Sequence, residues 1–346
     1  MLSSTSKRTN EINRDRSICS FLNLHYRELL LFLCLIWLYF KCRKDTTICL
    51  NTTNISLKTI HTDLSGIKSE ITKIKHNEQP QQLLTPYLLT KTKDNLWIVV
   101  INNELISIRI LKNGIWEPET TSFFKKFVKP GEKILELGVN IGYFVTLLAK
   151  LTGPTGIVIG YEANKIVYDL ARLSVKMNDM DSYVSLHNVA VSNHSGYVNF
   201  TYDIPTNKAL SINAGTAHIV TDGMKNKPNY IEVKTITLDE DLPDLDEVDW
   251  LLIDIEGAEL LALQGARRII QSSPNIKIIM EWNERYLSSF SNVGAFLDEY
   301  MNAGFSFYKM SSSGVMSEPL TKAFLSTAGN LNTNALVCRN SSIPII

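Results

Sequence analysis

The sequence predicts an α/β protein built on a doubly wound, mostly parallel sheet, and three observations carry that prediction. From residue 133 onward, short apolar runs of strand type alternate with stretches of helical periodicity, as in strands joined by crossover helices. The first run, Lys133-Ile-Leu-Glu136-Leu, breaks at Gly138 and turns through Asn140 and Gly142 into a helix pattern over Leu147, Leu148 and Leu151. Glu162, Asn188, Asp254 and Glu281 fall at the carboxyl ends of later strands, with Glu136 inside the first. That edge of an open parallel sheet is where ligands bind.

From the N-terminus, residues 1–28 form a basic tail and residues 29–40 an unbroken apolar run. As a helix the run spans about 18 Å, short of the ~30 Å hydrocarbon core unless its flanks, residues 18–44, contribute. Trp37 and Tyr39, then Lys41, Arg43 and Lys44, make an interfacial border, and no small-residue cleavage site follows. The expectation is an uncleaved single-pass membrane anchor; the alternative is a buried helix of the globular domain. Arg8, Arg14, Arg16 and Arg27 on one side balance Lys41, Arg43, Lys44 and Lys58 on the other, so basic residues give no orientation. Sequons at Asn51, Asn54, Asn193, Asn199 and Asn340 point to a lumenal catalytic domain.

Residues 45–82 read as a stalk. Leu57, Ile60, Leu64, Ile67, Ile71 and Ile74 follow heptad spacing, the seam of a coiled coil, and imply a homo-oligomer through residues 57–74. An amphipathic helix against the domain or the membrane is the alternative, and Gly66 costs the helix about 1 kcal/mol. Residues 83–131 read as an extension: an antiparallel hairpin from residues 96–101 and 106–111, then a helix with Phe123, Phe124 and Phe127 on one face. Residues 132–340 form the main domain. Its strands lie at residues 133–137, 156–162, 183–187, 248–254 and 276–280, and its helices at 166–177, 258–270 and 293–301. Residues 305–308 and 335–338 close the pattern.

The turn after the first strand sets a helix N-terminus, with its N–H groups and positive dipole end, beside glycines that let a ligand approach the backbone. Gly-x-Asn-x-Gly departs from the Gly-x-Gly-x-x-Gly of dinucleotide sites, and Glu136 inside the strand argues against a pyrophosphate. A carboxylate there suits a cationic ligand, and S-adenosylmethionine is one; an ordinary strand-turn-helix is the alternative. Glu162, twenty residues past Gly142, stands where a carboxylate accepts ribose hydroxyls, and Asn188 where an amide reads the adenine edge. Asp254 and Glu256 stand at the mouth of the central strand, before a helix whose dipole would hold them ionised. A carboxylate so placed can take the proton of an attacking hydroxyl; helix capping is the rival role.

The 35 basic residues balance 35 acidic ones, so no electrostatic footprint for nucleic acid exists. Four of the five cysteines lie in the first fifty residues, with no Cys-x-x-Cys pair and no Cys/His cluster, which supports neither zinc nor a disulfide scaffold. No third and fourth oxygen ligands of metal-binding spacing accompany Asp254 and Glu256, so no metal is expected.

Between residues 106 and 281 stand Asn113-Gly-Ile-Trp116-Glu117-Pro118, Glu136-Leu-Gly138-Val-Asn140-Ile-Gly142, Asn188-Val-Ala-Val191, Thr237-Leu-Asp239 and Ile253-Asp254-Ile-Glu256-Gly257-Ala-Glu259. In these motifs the chain resembles the FkbM-type methyltransferases. The family usually has Asp at Glu136 and Ala at Val139. The loop ending at His218 resembles a segment that carries Ser there, which implies an altered substrate contact or a different catalytic base. The resemblance implies a Rossmann-like class I fold and S-adenosylmethionine-dependent O-methylation, often of a sugar or polyketide hydroxyl. With anchor and stalk, the layout is that of a Golgi-type glycan-modifying enzyme. A cytosol-facing methyltransferase of a lipid or small molecule, and an inactive cofactor-binding module, are the alternatives.

Overall fold

The computed structural model describes residues 87–102, 104–201, 218–219, 230–310, 318–327 and 330–339. The chain divides into two units, Met1–Leu84 and Thr85–Ile346, and all described residues belong to the second. Residues 29–40 with their flanks, and the heptad seam at 57–74, lie outside them. No helix among the described residues is long and apolar enough to cross a membrane.

The unit opens with the hairpin β1 (Tyr87–Lys91) and β2 (Trp97–Ile101), followed by helices α1 (Leu105–Asn113) and α2 (Pro118–Phe127). Then come β3 (Lys133–Leu137), α3 (Tyr143–Thr152), β4 (Ile157–Tyr161), α4 (Lys165–Met177) and β5 (Val184–His187). A second group follows: β6 (Ala190–Val191), β7 (Gly196–Thr201), β8 (His218–Ile219), β9 (Tyr230–Ile236) and the single turn α5 (Leu238–Asp241). The last stretch holds β10 (Trp250–Ile253), α6 (Glu259–Gln264), α7 (Arg267–Ser272), β11 (Lys277–Asn283) and α8 (Glu284–Leu287). It ends with α9 (Val293–Asn302), β12 (Phe305–Lys309), α10 (Lys322–Leu325) and β13 (Asn330–Arg339).

The main sheet has the order β12-β13-β11-β10-β3-β4-β5. Pairing is parallel from β5 to β11, and β13 is antiparallel to both its neighbours. This is the doubly wound, mostly parallel α/β sheet the alternating pattern predicts. Period two divides its side chains between two cores. Ile134, Trp250 and Leu252 face the core shared with Phe123, Phe124, Leu148 and Leu170. Leu135, Leu251 and Ile253 face Leu260, Leu263, Ile269 and Phe296. Ile98 and Val100 of the hairpin belong to the first core.

Two local expectations are corrected. Residues 106–111 are the helix α1, not a strand, and β2 pairs with β1 upstream. Buried Glu104 decides it, because its carboxylate accepts the Ile106 and Ser107 N–H groups at 2.9 and 2.7 Å and so caps a helix. The helix expected over residues 258–270 is broken into α6 and α7 at Gly265, where a Cβ would sit 2.1 Å from the Ser192 carbonyl oxygen. The chain past β5 also builds a second sheet of order β6-β9-β7-β8, outside the alternating strand–helix pattern.

Candidate active site

The carboxyl ends of β3, β4 and β10 lie side by side, because Leu137 pairs with Tyr161 on one side and with Ile253 on the other. The chain leaves β3 through Gly138, at φ +86°, where a Cβ would stand 1.8 Å from the Asp254 carbonyl oxygen. Gly142, at φ +91°, lets α3 start against α4: a Cβ there would come 2.9 Å from the Ala171 Cα. Both glycines are thus required by chain packing on chain, and Gly138 also lines the cleft above the strand tips.

The loop amides are spent within the protein. Gly138 and Val139 donate to the Tyr161 carbonyl at 2.9 and 3.2 Å, and Gly142 donates to that of Val139 at 3.0 Å. Asn140 donates to Glu162 Oε2 at 2.8 Å, and Ile141 to Asn140 Oδ1 at 2.7 Å. An open nest of N–H groups is not formed at the bend, which removes the main attraction for a phosphate.

Acids dominate instead. Glu162 is buried in the cleft wall and also accepts the Asn164 N–H, through Oε1, at 2.7 Å. Each of its oxygens thus holds one backbone donor and keeps a lone pair. Glu136 is 1% exposed, and its Oε2 has no hydrogen-bond partner. Burial, then Asp254 and Glu162, raise its carboxyl well above the usual range. Asp254 is exposed to the cleft that it lines, and desolvation there raises its carboxyl too. Burial and the carboxylates of Asp254, Glu281 and Glu259 push Glu256 to about 8. Burial is also the first cause for Glu117, Glu162, Glu259 and Glu281, each raised to about 7.

The helix dipole expected to hold Asp254 and Glu256 ionised is opposed by these shifts. The following helix is only six residues long, and desolvation with like-charge repulsion outweighs it. Capping does not fall to them either: Glu259 Oε1 accepts the Ile255 and Gly257 N–H groups at 3.1 and 3.2 Å. Glu256 itself is held at φ +56°, a conformation costly for a side chain with a Cβ, and lines the cleft.

Asn188 directly follows the end of β5. Its Nδ2 donates to the Glu162 and Ala163 carbonyls at 2.8 and 3.2 Å, bracing the β4 tip, while Val189 and Ala190 line the cleft. His218 lies on β8, paired with Thr201 in the second sheet. Two residues outside the expected site join it. Glu117 and Asn334 are hydrogen-bonded at 2.9 Å and line a smaller chamber together with Glu136 and Asp254. The charge of Glu117, in the quoted Trp-Glu-Pro motif, was the signal available in the sequence. Among the described residues, no group of three or more His, Cys, Asp or Glu side chains is arranged to hold a metal ion.

The fold is a mostly parallel, doubly wound α/β sheet with an acid-lined cleft at its strand tips. The methyltransferase FkbM domain model matches residues 136–307, and the chain belongs to that family. A demethylmenaquinone methyltransferase of Lactobacillus johnsonii is 34% identical over 105 residues, which is 30% of this chain and 41% of that protein. The chain thus spans about two fifths of the curated relative it matches. A SAM-dependent O-methyltransferase from Thermotoga maritima is 14% identical, over 73% of this chain and 76% of that one, with a TM-score of 0.35. An O-methyltransferase from Bacillus cereus in complex with SAH is 15% identical, over 64% of this chain and 81% of that one, with a TM-score of 0.36.

Proposed function

We propose that the chain transfers a methyl group from S-adenosylmethionine to a hydroxyl, with a sugar or glycan as the acceptor class. One observation carries the donor: the cleft at the strand tips is walled by carboxylates, and its glycine loop has its own amides satisfied. Among the described residues no ion pair reaches Glu117, Glu136, Glu162, Asp254 or Glu256. Such a wall suits a ligand bearing positive charge, and buried Glu136 Oε2 lacks the partner that charge would supply.

In this reading Glu162 takes the ribose hydroxyls through its remaining lone pairs, and Gly138 and Asn140 floor the site beside it. Asn188 keeps the tip of β4 in register. S-adenosylmethionine, when bound, supplies a methyl group on a sulfonium that leaves as a neutral thioether. Asp254 faces the acceptor and takes its hydroxyl proton as the oxygen–carbon bond forms and the carbon–sulfur bond breaks. Glu256, beside it at the mouth, orients the hydroxyl. A carboxyl raised by burial is a stronger base than an ordinary one, which matches the task near neutral pH.

The acceptor class rests on the family resemblance and on the layout upstream. An apolar run at residues 29–40, a heptad seam at 57–74 and the sequons together support a single-pass anchor, a self-associating stalk and a lumenal Golgi-type catalytic domain. The likeness to a demethylmenaquinone methyltransferase favours a second reading, a lipophilic small molecule methylated on the cytosolic side. Labelled donor offered to glycans and to lipid hydroxyls separates the two. Asp254→Asn is expected to abolish labelling while calorimetry finds S-adenosylhomocysteine bound within about threefold of wild type. Wild-type protein that gives no heat with either form of the cofactor sinks the proposal.

A further inference from the structure

Asp254 and Glu256 stand on a short turn, Asp254-Ile-Glu-Gly-Ala-Glu259, that runs from the tip of β10 into α6. At its start the Asp254 N–H still belongs to the sheet and donates to the Leu137 carbonyl at 2.9 Å. At its end Glu259, the first residue of α6, folds back on the turn. Its Oε1 accepts the Ile255 and Gly257 N–H groups at 3.1 and 3.2 Å. The amides on either side of Glu256 thus converge on one carboxylate, while Glu256 itself lines the cleft. The turn is tight: Glu256 is held at φ +56° and Gly257 at φ +103°. A Cβ at Gly257 would stand 3.1 Å from both Tyr286 Cβ and Phe290 Cε2, so the α8 side closes the turn from outside. A non-glycine residue at positive φ costs of order 1 kcal/mol and persists only where its surroundings enforce it. Here the enforcing group is Glu259, which is 1% exposed and whose Oε2 has no partner. Among the described residues no ion pair reaches it. A carboxamide oxygen would satisfy the same two amides without burying an acid, so the hydrogen bonds alone do not account for a glutamate.

We propose that Glu259 is a positioning residue for methyl transfer: its buried carboxylate templates the turn that presents Asp254 and Glu256 to the acceptor, and its charge stands behind Glu256. The inference rests on the reading of those two acids above. The charged groups acting on Glu256 are Asp254 at the β10 tip, Glu281 on β11 and Glu259, and α8 faces the turn with Tyr286. Like charges around it favour the protonated form of Glu256. In that form Glu256 orients the acceptor by donating to its hydroxyl oxygen, while Asp254 takes the hydroxyl proton.

The test is NMR on the ligand-free full chain. In wild type the Ile255 and Gly257 amide protons are expected to shift together about one midpoint near 7, where Glu259 loses its proton and becomes the stronger acceptor. In Glu259→Gln that joint shift should vanish, with exchange at both amides held within about threefold, because the carboxamide oxygen keeps the turn. The carboxyl midpoint of Glu256 should then fall from about 8 by about half a unit or more. In Glu259→Ala exchange at both amides should quicken about tenfold or more, while the β10 amides stay as in wild type. Two amides that titrate separately or not at all in wild type overturn the assignment, and that measurement needs no variant. A Glu256 midpoint unchanged in Glu259→Gln also overturns it, because the residue is then a structural cap alone. Both readouts are free of cofactor, so a failure of S-adenosylmethionine to bind sinks the donor reading separately.

Discussion

Glu162 has two duties, and its substitutions separate them. Its oxygens hold the Asn140 and Asn164 N–H groups at 2.8 and 2.7 Å, which ties the glycine loop to the tip of β4. The lone pairs left over face the cleft. Glu162→Ala removes both functions, and S-adenosylhomocysteine affinity is expected to fall about thirtyfold or more, roughly the 2 kcal/mol of a charged hydrogen-bond pair. Glu162→Gln keeps the shape but turns an amide N–H toward a backbone donor, so a loss of about tenfold is expected together with a lower melting temperature. Calorimetry that finds either variant binding like wild type removes Glu162 from the donor site. Glu117 could not be read into the cleft from the chain alone. Its motif was visible, but its direction depends on a hydrogen bond to Asn334, 217 positions downstream.

At the scale of elements, what was legible followed from side chains that report their own environment. Leu251, Leu252 and Ile253 are buried on both faces, and such unbroken apolar runs admit only a central strand, so β3, β4, β10 and β11 were readable. Their carboxyl ends then placed Glu162 and Asp254 on one edge. Ile106-Ser-Ile-Arg-Ile satisfied period two while Ile106 and Ile110 also lay four apart on one helical face, and only the Glu104 cap resolves the tie. Glu104→Ala is expected to cost about 1–3 kcal/mol in denaturant unfolding, because two buried N–H groups lose their acceptor. The role of Gly142 was equally hidden, since it depends on Ala171 of another helix. Gly142→Ala combines positive φ with a 2.9 Å Cβ contact to Ala171 Cα and is expected to destabilise by about 1–3 kcal/mol. An unchanged melting temperature would mean that α3 and α4 are not packed as found.

The whole molecule holds a set of acids that pull the same way with pH. Glu117, Glu162, Glu259 and Glu281 are raised to about 7 and Glu256 to about 8 from an ordinary 4.5, chiefly by burial. In the unfolded chain these groups lose their protons near the ordinary value, whereas the folded protein keeps them to higher pH. Between those limits the native state binds more protons than the unfolded one, so stability falls as pH rises, by up to about 1.4 kcal/mol per unit for each such group. The melting temperature of the ligand-free protein is therefore expected to drop steadily from pH 5.5 to 7.5. A cation in the cleft favours the ionised carboxylates and displaces their protons, so it reverses part of that loss. The rise in melting temperature on saturation with S-adenosylmethionine, whose sulfonium carries that charge, should accordingly be larger at pH 7.5 than at 5.5. Calorimetry in buffers of different ionisation enthalpy should register proton release on binding at pH 6.5. A melting temperature that climbs across this range, or binding that takes protons up, would mean the carboxylates are ionised before any ligand arrives. The acid wall would then be a solvated surface, with no cationic ligand needed to complete it.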